Sequence, residues 1–307
     1  SPKSPKSPEY LNEDVVGHIM SYLPTKDKMT SSKVSKTWNT AVVYNDKLID
    51  VTYSQMKTPS FEKWFKSHPK AKLNVDVEDC DANLFKFLYD NYKNSIYGLS
   101  ITYAYMKKLP ECIGEFKQLR TLNLSSNQLT NLPSSIGKLS QLHTLNISGN
   151  RLTSLPDSIG QLTDLQELYL YNNELTSLPS NIGKLTKLQK LWLHTNELTS
   201  LPETIGKLSN LQYLDLHTNE LTNLPNSIGQ LSNLKELVLK FNQMTSLPDS
   251  IGQLSNLQYL QLYNNKFTSL PESIGQLSKL KELDISNNRI KKFPASFKLL
   301  KKTKIYA

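Results

Sequence analysis

A periodic pattern of leucines fills most of the chain. The pattern Leu-x-x-Leu-x-Leu-x-x-Asn-x-Leu begins at Leu119 and recurs every 23 residues, which places Asn at positions 127, 150, 173, 196, 219, 242, 265 and 288. Because side chains alternate between the two faces of a strand, each Leu-x-Leu predicts a short strand with one buried face. A repeat of fixed length predicts that successive copies stack around one continuous core.

The other positions of the repeat are also predicted to have structural roles. Apolar residues such as Leu132, Ile136 and Leu139 are expected to fill the core from the opposite, convex side. A buried Asn amide can bond backbone groups of neighbouring copies that would otherwise lack partners. A weaker copy over residues 96–106 has Ala104 in place of the Asn, as expected of a terminal copy.

These motifs make the chain similar to the leucine-rich repeat family. The resemblance implies an α/β fold, in which the repeats form a solenoid, or horseshoe, with a parallel sheet on its concave side. Within that fold, binding is expected on side chains that the core does not use.

The residues before 96 do not keep this register. Residues 1–9 carry Ser-Pro-Lys repeats and are expected to be disordered, because Pro at every third position prevents a helix and nothing is available to bury. From Leu11 to Leu23 the apolar residues recur at helical spacing, and Pro24 is a helix stop. A second apolar run continues through Trp38, so two or three short helices are predicted.

This helical segment resembles an F-box. The matching sequence is Glu-Asp-Val-Val-x-x-Ile-x-Ser-Tyr-Leu-Pro from Glu13, followed by Val-Ser-Lys-x-Trp from Val34. The resemblance implies that the segment binds the adaptor subunit of a ubiquitin ligase through Leu11, Val15, Val16, Ile19, Leu23 and Pro24. The alternative is a helical cap that covers the open end of the solenoid core.

The sequence therefore predicts five segments. Between the two modules, strand-like residues 48–53 and 73–77 alternate with helical residues 61–68 and 83–92, which suggests irregular repeats. The expected boundaries are a disordered tail at 1–9, an F-box-like helical module at 10–50, irregular N-terminal repeats at 51–95, regular repeats at 96–290 and a basic C-terminal cap at 291–307.

Charge and composition argue against several functions. The net charge is +9, but seven basic and no acidic residues lie from Arg289 onward, which leaves +2 for residues 1–288. The chain has 33 Lys and only 3 Arg. Because surfaces that bind nucleic acid usually use the two-pronged guanidinium group of Arg, this composition disfavours a nucleic-acid-binding surface. A nucleic-acid-binding tail at 289–304 is the weaker alternative, and Lys301 and Lys302 fit either a charged cap or a nuclear-localisation patch.

The chain lacks the usual sequence signatures of catalysis. Neither phosphate-binding glycine loops nor the His-Glu-x-x-His, Gly-x-Ser-x-Gly and Cys-x-x-Cys motifs occur, and the two cysteines cannot form a four-thiolate site. We therefore expect no enzyme activity, no cofactor and no metal centre. Without an apolar run long enough for a bilayer, the expected location is cytoplasmic or nuclear, with no membrane partner, and the chain is expected to be monomeric outside its complexes.

A candidate target-binding surface emerges when the repeats are aligned. The positions around the strand leucines are small and polar in the outer repeats and large, aromatic or ionisable in the middle ones. Exposed aromatic residues are typical of binding hot spots, although they can also stack across strands to stiffen a sheet. The predicted patch comprises Tyr169, Tyr171, Trp192, His194, Tyr213, Asp215, His217, Val238, Lys240, Phe241, Tyr259 and Tyr263.

Two histidines lie in the same column of consecutive repeats. His194, His217 and the nearby Asp215 raise the possibility of a metal site, but zinc usually needs three or four convergent ligands. A pH-sensitive contact is favoured instead, because neighbouring imidazoles disfavour each other's charged forms.

The order of an F-box followed by leucine-rich repeats resembles substrate receptors of cullin–RING ubiquitin ligases. That resemblance implies a non-catalytic chain with two partners, the ligase adaptor at the F-box and an unidentified target protein at the concave face. The competing interpretation is an interaction scaffold, since the Leu-Pro-x-x-Ile-Gly-x-Leu segments are similar to those of intracellular repeat proteins that bind small GTPases or phosphatases.

Overall fold

The computed structural model describes residues 48–78 and 80–307, which divide into two compact units. The first unit ends at Ile101 and the second runs from Thr102 to Ala307. The predicted Ser-Pro-Lys tail, the predicted F-box helices and the six adaptor-binding residues from Leu11 to Pro24 lie outside the described residues.

The first unit alternates parallel strands with helices, as the sequence predicted. Strands β1 (Ile49–Thr52), β2 (Leu73–Val77) and β3 (Ile96–Ile101) pair in parallel, and helices α1 (Tyr53–Met56), α2 (Pro59–Ser67) and α3 (Leu84–Tyr92) connect them. Thr52 begins α1 with a reciprocal capping box to Gln55. Alternate strand residues such as Val75 are fully buried, so each strand has one face in the core.

The second unit is a regular solenoid of three-residue parallel strands. The strands of residues 102–307 are β4 (Thr121–Asn123), β5 (Thr144–Asn146), β6 (Glu167–Tyr169), β7 (Lys190–Trp192), β8 (Tyr213–Asp215), β9 (Glu236–Val238), β10 (Tyr259–Gln261), β11 (Glu282–Asp284) and β12 (Lys304–Tyr306). Neighbouring strands pair at equivalent repeat positions, for example Leu145 with Leu168. The predicted basic cap supplies β12, in which Ile305 pairs with Leu283.

Short 3-10 helices form the opposite side of the second unit. They span Glu111–Glu115, Ser134–Lys138, Asp157–Gln161, Ser180–Lys184, Glu203–Lys207, Asn226–Gln230, Asp249–Gln253, Glu272–Gln276 and Ala295–Leu299. Each follows a proline in extended conformation, such as Pro156 with φ −68° and ψ 148°. The isoleucine of each Ile-Gly pair, for example Ile159, points into the core and is fully buried.

The core of the second unit is built from equivalent apolar side chains of every copy. Leucines such as Leu191 in β7 and Leu193 just after it are fully buried, and each contributes about 2 kcal/mol to folding. The predicted role of the repeated Asn is confirmed at Asn196. Its Oδ1 accepts from Leu175 N at 3.0 Å, and its Nδ2 donates to Leu170 O and Leu193 O at 3.0 Å.

Candidate functional site

The candidate site lies on the open face of the sheet in the second unit, the face that carries the strand side chains pointing away from the core. On this face the central strands place aromatic rings in line. The rings of Tyr169 and Trp192 stack with centroids 4.2 Å apart and planes 8° apart. Trp192 also contacts Tyr213 at 5.1 Å, which extends the row across β6, β7 and β8.

A second row of rings runs beside the first, just beyond the strand ends. Tyr171 stacks on His194 at 4.6 Å, and His194 stacks on His217 at 4.3 Å with planes 12° apart. We call the two rows together the aromatic rows. Residues 23 positions apart are brought together here because the strands pair without a register shift, so identical repeat positions become neighbours.

Further along the sheet, the face continues with Lys240, Tyr259, Phe241 and Tyr263. The last two rings meet edge to face at 5.1 Å. Phe241 is 42% exposed and has a left-handed backbone with φ +56°, a conformation that is unusual for a bulky residue. The same left-handed conformation recurs at this repeat position in other copies, for example at Asn172 and Thr195, so it belongs to the turn of the repeat.

The structure removes two predicted residues from the contact surface. Asp215 is only 6% exposed, and its Oδ1 accepts bonds from His217 N at 3.1 Å and His217 Nδ1 at 2.6 Å. Its Oδ2 accepts from the Tyr213 hydroxyl at 3.1 Å. Asn146 occupies the same repeat position three copies earlier, and its Oδ1 accepts from Ser148 N in the same way. A polar side chain at this position therefore ends the strand and supports its neighbours. Asp215 therefore holds His217 and Tyr213 in place rather than facing a partner.

Val238 is the second of these corrections. Its side chain is 3% exposed, and its strand partners on either side are Asp215 and Gln261. Longer side chains on the neighbouring strands extend past the short, branched side chain of Val238 and cover it. Val238 therefore offers almost no surface to a ligand. The other ten predicted residues are half-buried or, for Phe241, exposed.

Burial and local charges shift several titrations on this face. Burial lowers the pKa of His194, and the positive charges of His217 and Lys240 add to this while Asp215 opposes it. Burial and the bond to Glu167 raise the pKa of Tyr169 to about 12. Burial, Asp215 and Glu282 together raise the pKa of Glu236. His194 is therefore favoured in its neutral form.

The sequence analysis missed a column of exposed glutamates in the same copies as the aromatic rows. Glu174, Glu197 and Glu220 are exposed and follow Tyr171, His194 and His217 by three residues each. The signal was available, because reading one more repeat position, immediately after the repeated Asn, reveals the three acids in consecutive copies. Two exposed tyrosines were also missed: Tyr103 and Tyr105 are 76% and 77% exposed with φ near +54°.

Within residues 48–78 and 80–307, the structure contains no group of three or more His, Cys, Asp or Glu side chains that could hold a metal ion. In the same part of the chain, no helix combines the length and apolar character needed to cross a bilayer.

Comparison with known families identifies both modules. Residues 99–200 and 180–258 match the model for a leucine-rich repeat region, residues 232–290 match a leucine rich repeat model, and residues 9–50 match the F-box domain. The chain belongs to the leucine-rich repeat family and carries an F-box domain ahead of the repeats. Both are families of interaction domains. No curated protein matches the chain.

Solved structures agree on the repeat fold. A leucine-rich repeat protein of Leptospira interrogans is 34% identical with a TM-score of 0.73, covering 88% of this chain and 68% of its own. A plant peptide hormone receptor, RGFR1 in complex with RGF2, is 26% identical with a TM-score of 0.55, covering 76% and 46%. The functional domain of InlJ from Listeria monocytogenes is 28% identical with a TM-score of 0.55, covering 67% and 41%. The chain thus spans less than half of the last two proteins.

Proposed function

We propose that this protein is a non-catalytic substrate receptor of a cullin–RING ubiquitin ligase. The observation that carries the proposal is the presence, in one chain, of an F-box match at residues 9–50 and leucine-rich repeats over residues 99–290. In this arrangement the F-box binds the ligase adaptor and the repeats bind a target protein. Ubiquitin transfer takes place on the conjugating partner, and this chain raises the effective concentration of the target there.

Adaptor binding is assigned to the apolar positions of the F-box. Leu11, Val15 and Ile19 recur at helical spacing, as expected for a helix face that buries itself in a partner's groove. Val16, Leu23 and Pro24 complete the set. Their contribution is hydrophobic, so a charge placed among them should abolish the complex.

Target binding is assigned to the open face. Its contact residues are Tyr169, Tyr171, Trp192, His194, Tyr213, His217, Lys240, Phe241, Tyr259 and Tyr263, with Asp215 and Val238 as their buried support. Stacked rings lose little conformational freedom when a partner binds, because their neighbours already hold them in one orientation. Large aromatic side chains that keep a polar atom are also the common anchors of protein interfaces.

The proposal is tested by mixing the purified chain with the purified adaptor subunit and following complex formation by size exclusion and calorimetry. The test variant is Leu11→Asp with Val15→Asp. A matched control introduces two Asp residues at exposed apolar positions of the repeat unit, Phe293→Asp and Leu299→Asp, which are 45% and 61% exposed.

A stoichiometric complex that survives in the control and disappears in the test variant supports the receptor function. Absence of a complex at tens of micromolar would overturn it. The chain would then be an interaction scaffold whose N-terminal segment caps the solenoid.

A further inference from the structure

The copies that carry the aromatic rows also carry a column of exposed glutamates, three residues beyond the second row. Glu174, Glu197 and Glu220 occupy one repeat position in consecutive copies, residues 165–187, 188–210 and 211–233, which we call the central copies. All three are exposed, and none forms an ion pair within the residues that the structure describes. Glu197 N donates to Leu175 O and Glu220 N donates to Leu198 O, both at 3.0 Å, so the three glutamates stand on adjacent backbone segments and form a column.

Such a column is unfavourable in the free protein. Like charges in consecutive copies repel one another, and of the two positions that flank the column only that of Arg151 carries a cation. The same repeat position is occupied by Arg151 in the preceding copy and by Gln243, Lys266 and Arg289 in the following ones. The acidic side chains are therefore confined to the copies that carry the stacked Tyr171, His194 and His217.

The chain already shows how a cation is held on this surface. Lys190 Nζ lies 2.9 Å from Glu167 Oε1 and 5.7 Å from the centroid of the Trp192 ring. One ammonium group is thus shared between a carboxylate and an aromatic ring. The second aromatic row likewise has rings and carboxylates in the same copies, and the cation of its column, Lys240, lies one copy beyond His217.

We propose that the open face of the central copies binds a target segment that presents arginine or lysine side chains. This inference rests on the proposed target-binding role of the open face and specifies the chemistry of the target. Guanidinium groups suit the site because they stack on aromatic rings and pair with carboxylates through two parallel bonds. The outer two glutamates of the column are about 10 Å apart, close to one turn of a polyproline II chain, whose side chains return to the same face every three residues, which favours basic residues spaced three apart.

The test uses fluorescent twelve-residue peptides of the repeating sequence Gly-Ser-Arg, with Lys, Gln and Glu versions at the third position. Binding to the full chain, without the adaptor, is followed by fluorescence anisotropy at low and at physiological salt. The test variant is Glu174→Gln, Glu197→Gln, Glu220→Gln. The control makes the same charge change at exposed acids of the 3-10 helices, Asp157→Asn, Glu203→Gln, Asp249→Asn.

We expect the arginine peptide to bind more tightly than the glutamine peptide, and the glutamate peptide not to bind. The test variant should weaken the arginine peptide about tenfold or more while the control changes it little, although both raise the net charge equally. Equal weakening in both variants would indicate a nonspecific charge effect and overturn the proposal. Binding of the glutamate peptide, or no preference for the arginine peptide, would overturn it as well.

The result is separable from the receptor proposal. An adaptor complex without arginine-peptide binding would refute only the chemistry assigned to the target. Arginine-peptide binding without an adaptor complex would support the proposed binding of basic segments and refute the proposed role in a ubiquitin ligase.

Discussion

At the scale of single residues, the repeated Asn joins each copy to the next. Asn196 is 8% exposed and bonds one backbone N–H and one carbonyl of the preceding copy and two carbonyls of its own copy. We expect Asn196→Ala to lower the free energy of unfolding by about 3 kcal/mol, because buried backbone groups lose their partners. Urea denaturation measures this. Asn210→Ala is the control, since Asn210 bonds Thr186 O at an exposed site, and an equal loss there would contradict the argument.

Phe241 shows a conflict between backbone conformation and surface chemistry. The equivalent residue is Asn172, Asn264 or Asn287 in other copies, and all share the left-handed backbone with φ between 52° and 56°. Asn tolerates this conformation better than Phe, so Phe241→Asn should raise stability by about 1 kcal/mol. The same change should weaken target binding. Thermal unfolding tests the first claim, and a lower melting temperature would refute it.

His194 should make folding stability depend on pH. Its pKa is lowered by burial, opposed by Asp215, and lowered further by His217 and Lys240, the charged groups that face it. A histidine with a lowered folded pKa destabilises the fold on protonation, so its effect is absent above about pH 6.5 and grows as pH falls below that value. Urea midpoints at pH 7.5 and 5.5 should differ less for His194→Gln than for the unmodified chain. An identical difference would refute this role.

At the scale of elements, the glycine of the Ile-Gly pair allows successive 3-10 helices to approach closely, because it has no Cβ. A Cβ on Gly160 would lie 2.5 Å from Asn181 O and 2.9 Å from Asn181 Cβ. We expect Gly160→Ala to destabilise the solenoid by about 1–3 kcal/mol, because backbone rather than a flexible side chain must move. Denaturant unfolding provides the measurement.

Gly149 provides the comparison, because an added Cβ there would meet the penalty of a left-handed backbone without a steric clash. It has φ +63°, but the nearest atoms to an added Cβ are 3.4 Å away. Gly149→Ala should therefore cost only the left-handed penalty, about 1 kcal/mol. A smaller loss for Gly160→Ala than for Gly149→Ala would contradict the packing argument.

Periodicity predicted the elements well, because every copy repeats the same local requirements. The strands, the buried leucines and the Asn bonds follow directly from the 23-residue pattern. The repeat pattern could not predict that Asp215 and Val238 are buried. Both residues point away from the core, so their exposed fraction depends on how far the neighbouring side chains extend over them. The glutamate column was missed because only the positions next to the strand leucines were compared.

At the scale of the whole molecule, the net charge is positive although one part of the repeat surface carries a column of negative charges. The chain carries +9, with seven basic residues from Arg289 onward, yet the central copies carry three exposed carboxylates, each three residues after a stacked ring. Charges separated by more than about 8 Å are largely screened at physiological salt, so a ligand at the central copies senses the local carboxylates more than the distant tail. Net charge therefore misleads about the partner, and the local distribution determines it.

The two proposed binding functions use separate residues and should respond independently to substitution. The adaptor residues lie in the F-box match at 9–50, whereas the target residues lie in repeats matched from residue 99 onward. Effects at sites that share no partners usually add, so Leu11→Asp with Val15→Asp should abolish the adaptor complex without changing arginine-peptide affinity. The triple Glu→Gln variant should do the reverse.

Calorimetry with the adaptor and anisotropy with the peptide, each measured on both variants, give the four values required. Loss of peptide binding in the F-box variant would contradict independence and indicate that the two sites are energetically coupled. Unchanged adaptor affinity in the presence of saturating peptide is the corresponding thermodynamic check, because any coupling between two binding sites must be reciprocal. Independence would allow a target to be captured before the ligase assembles, since neither binding event would alter the affinity of the other.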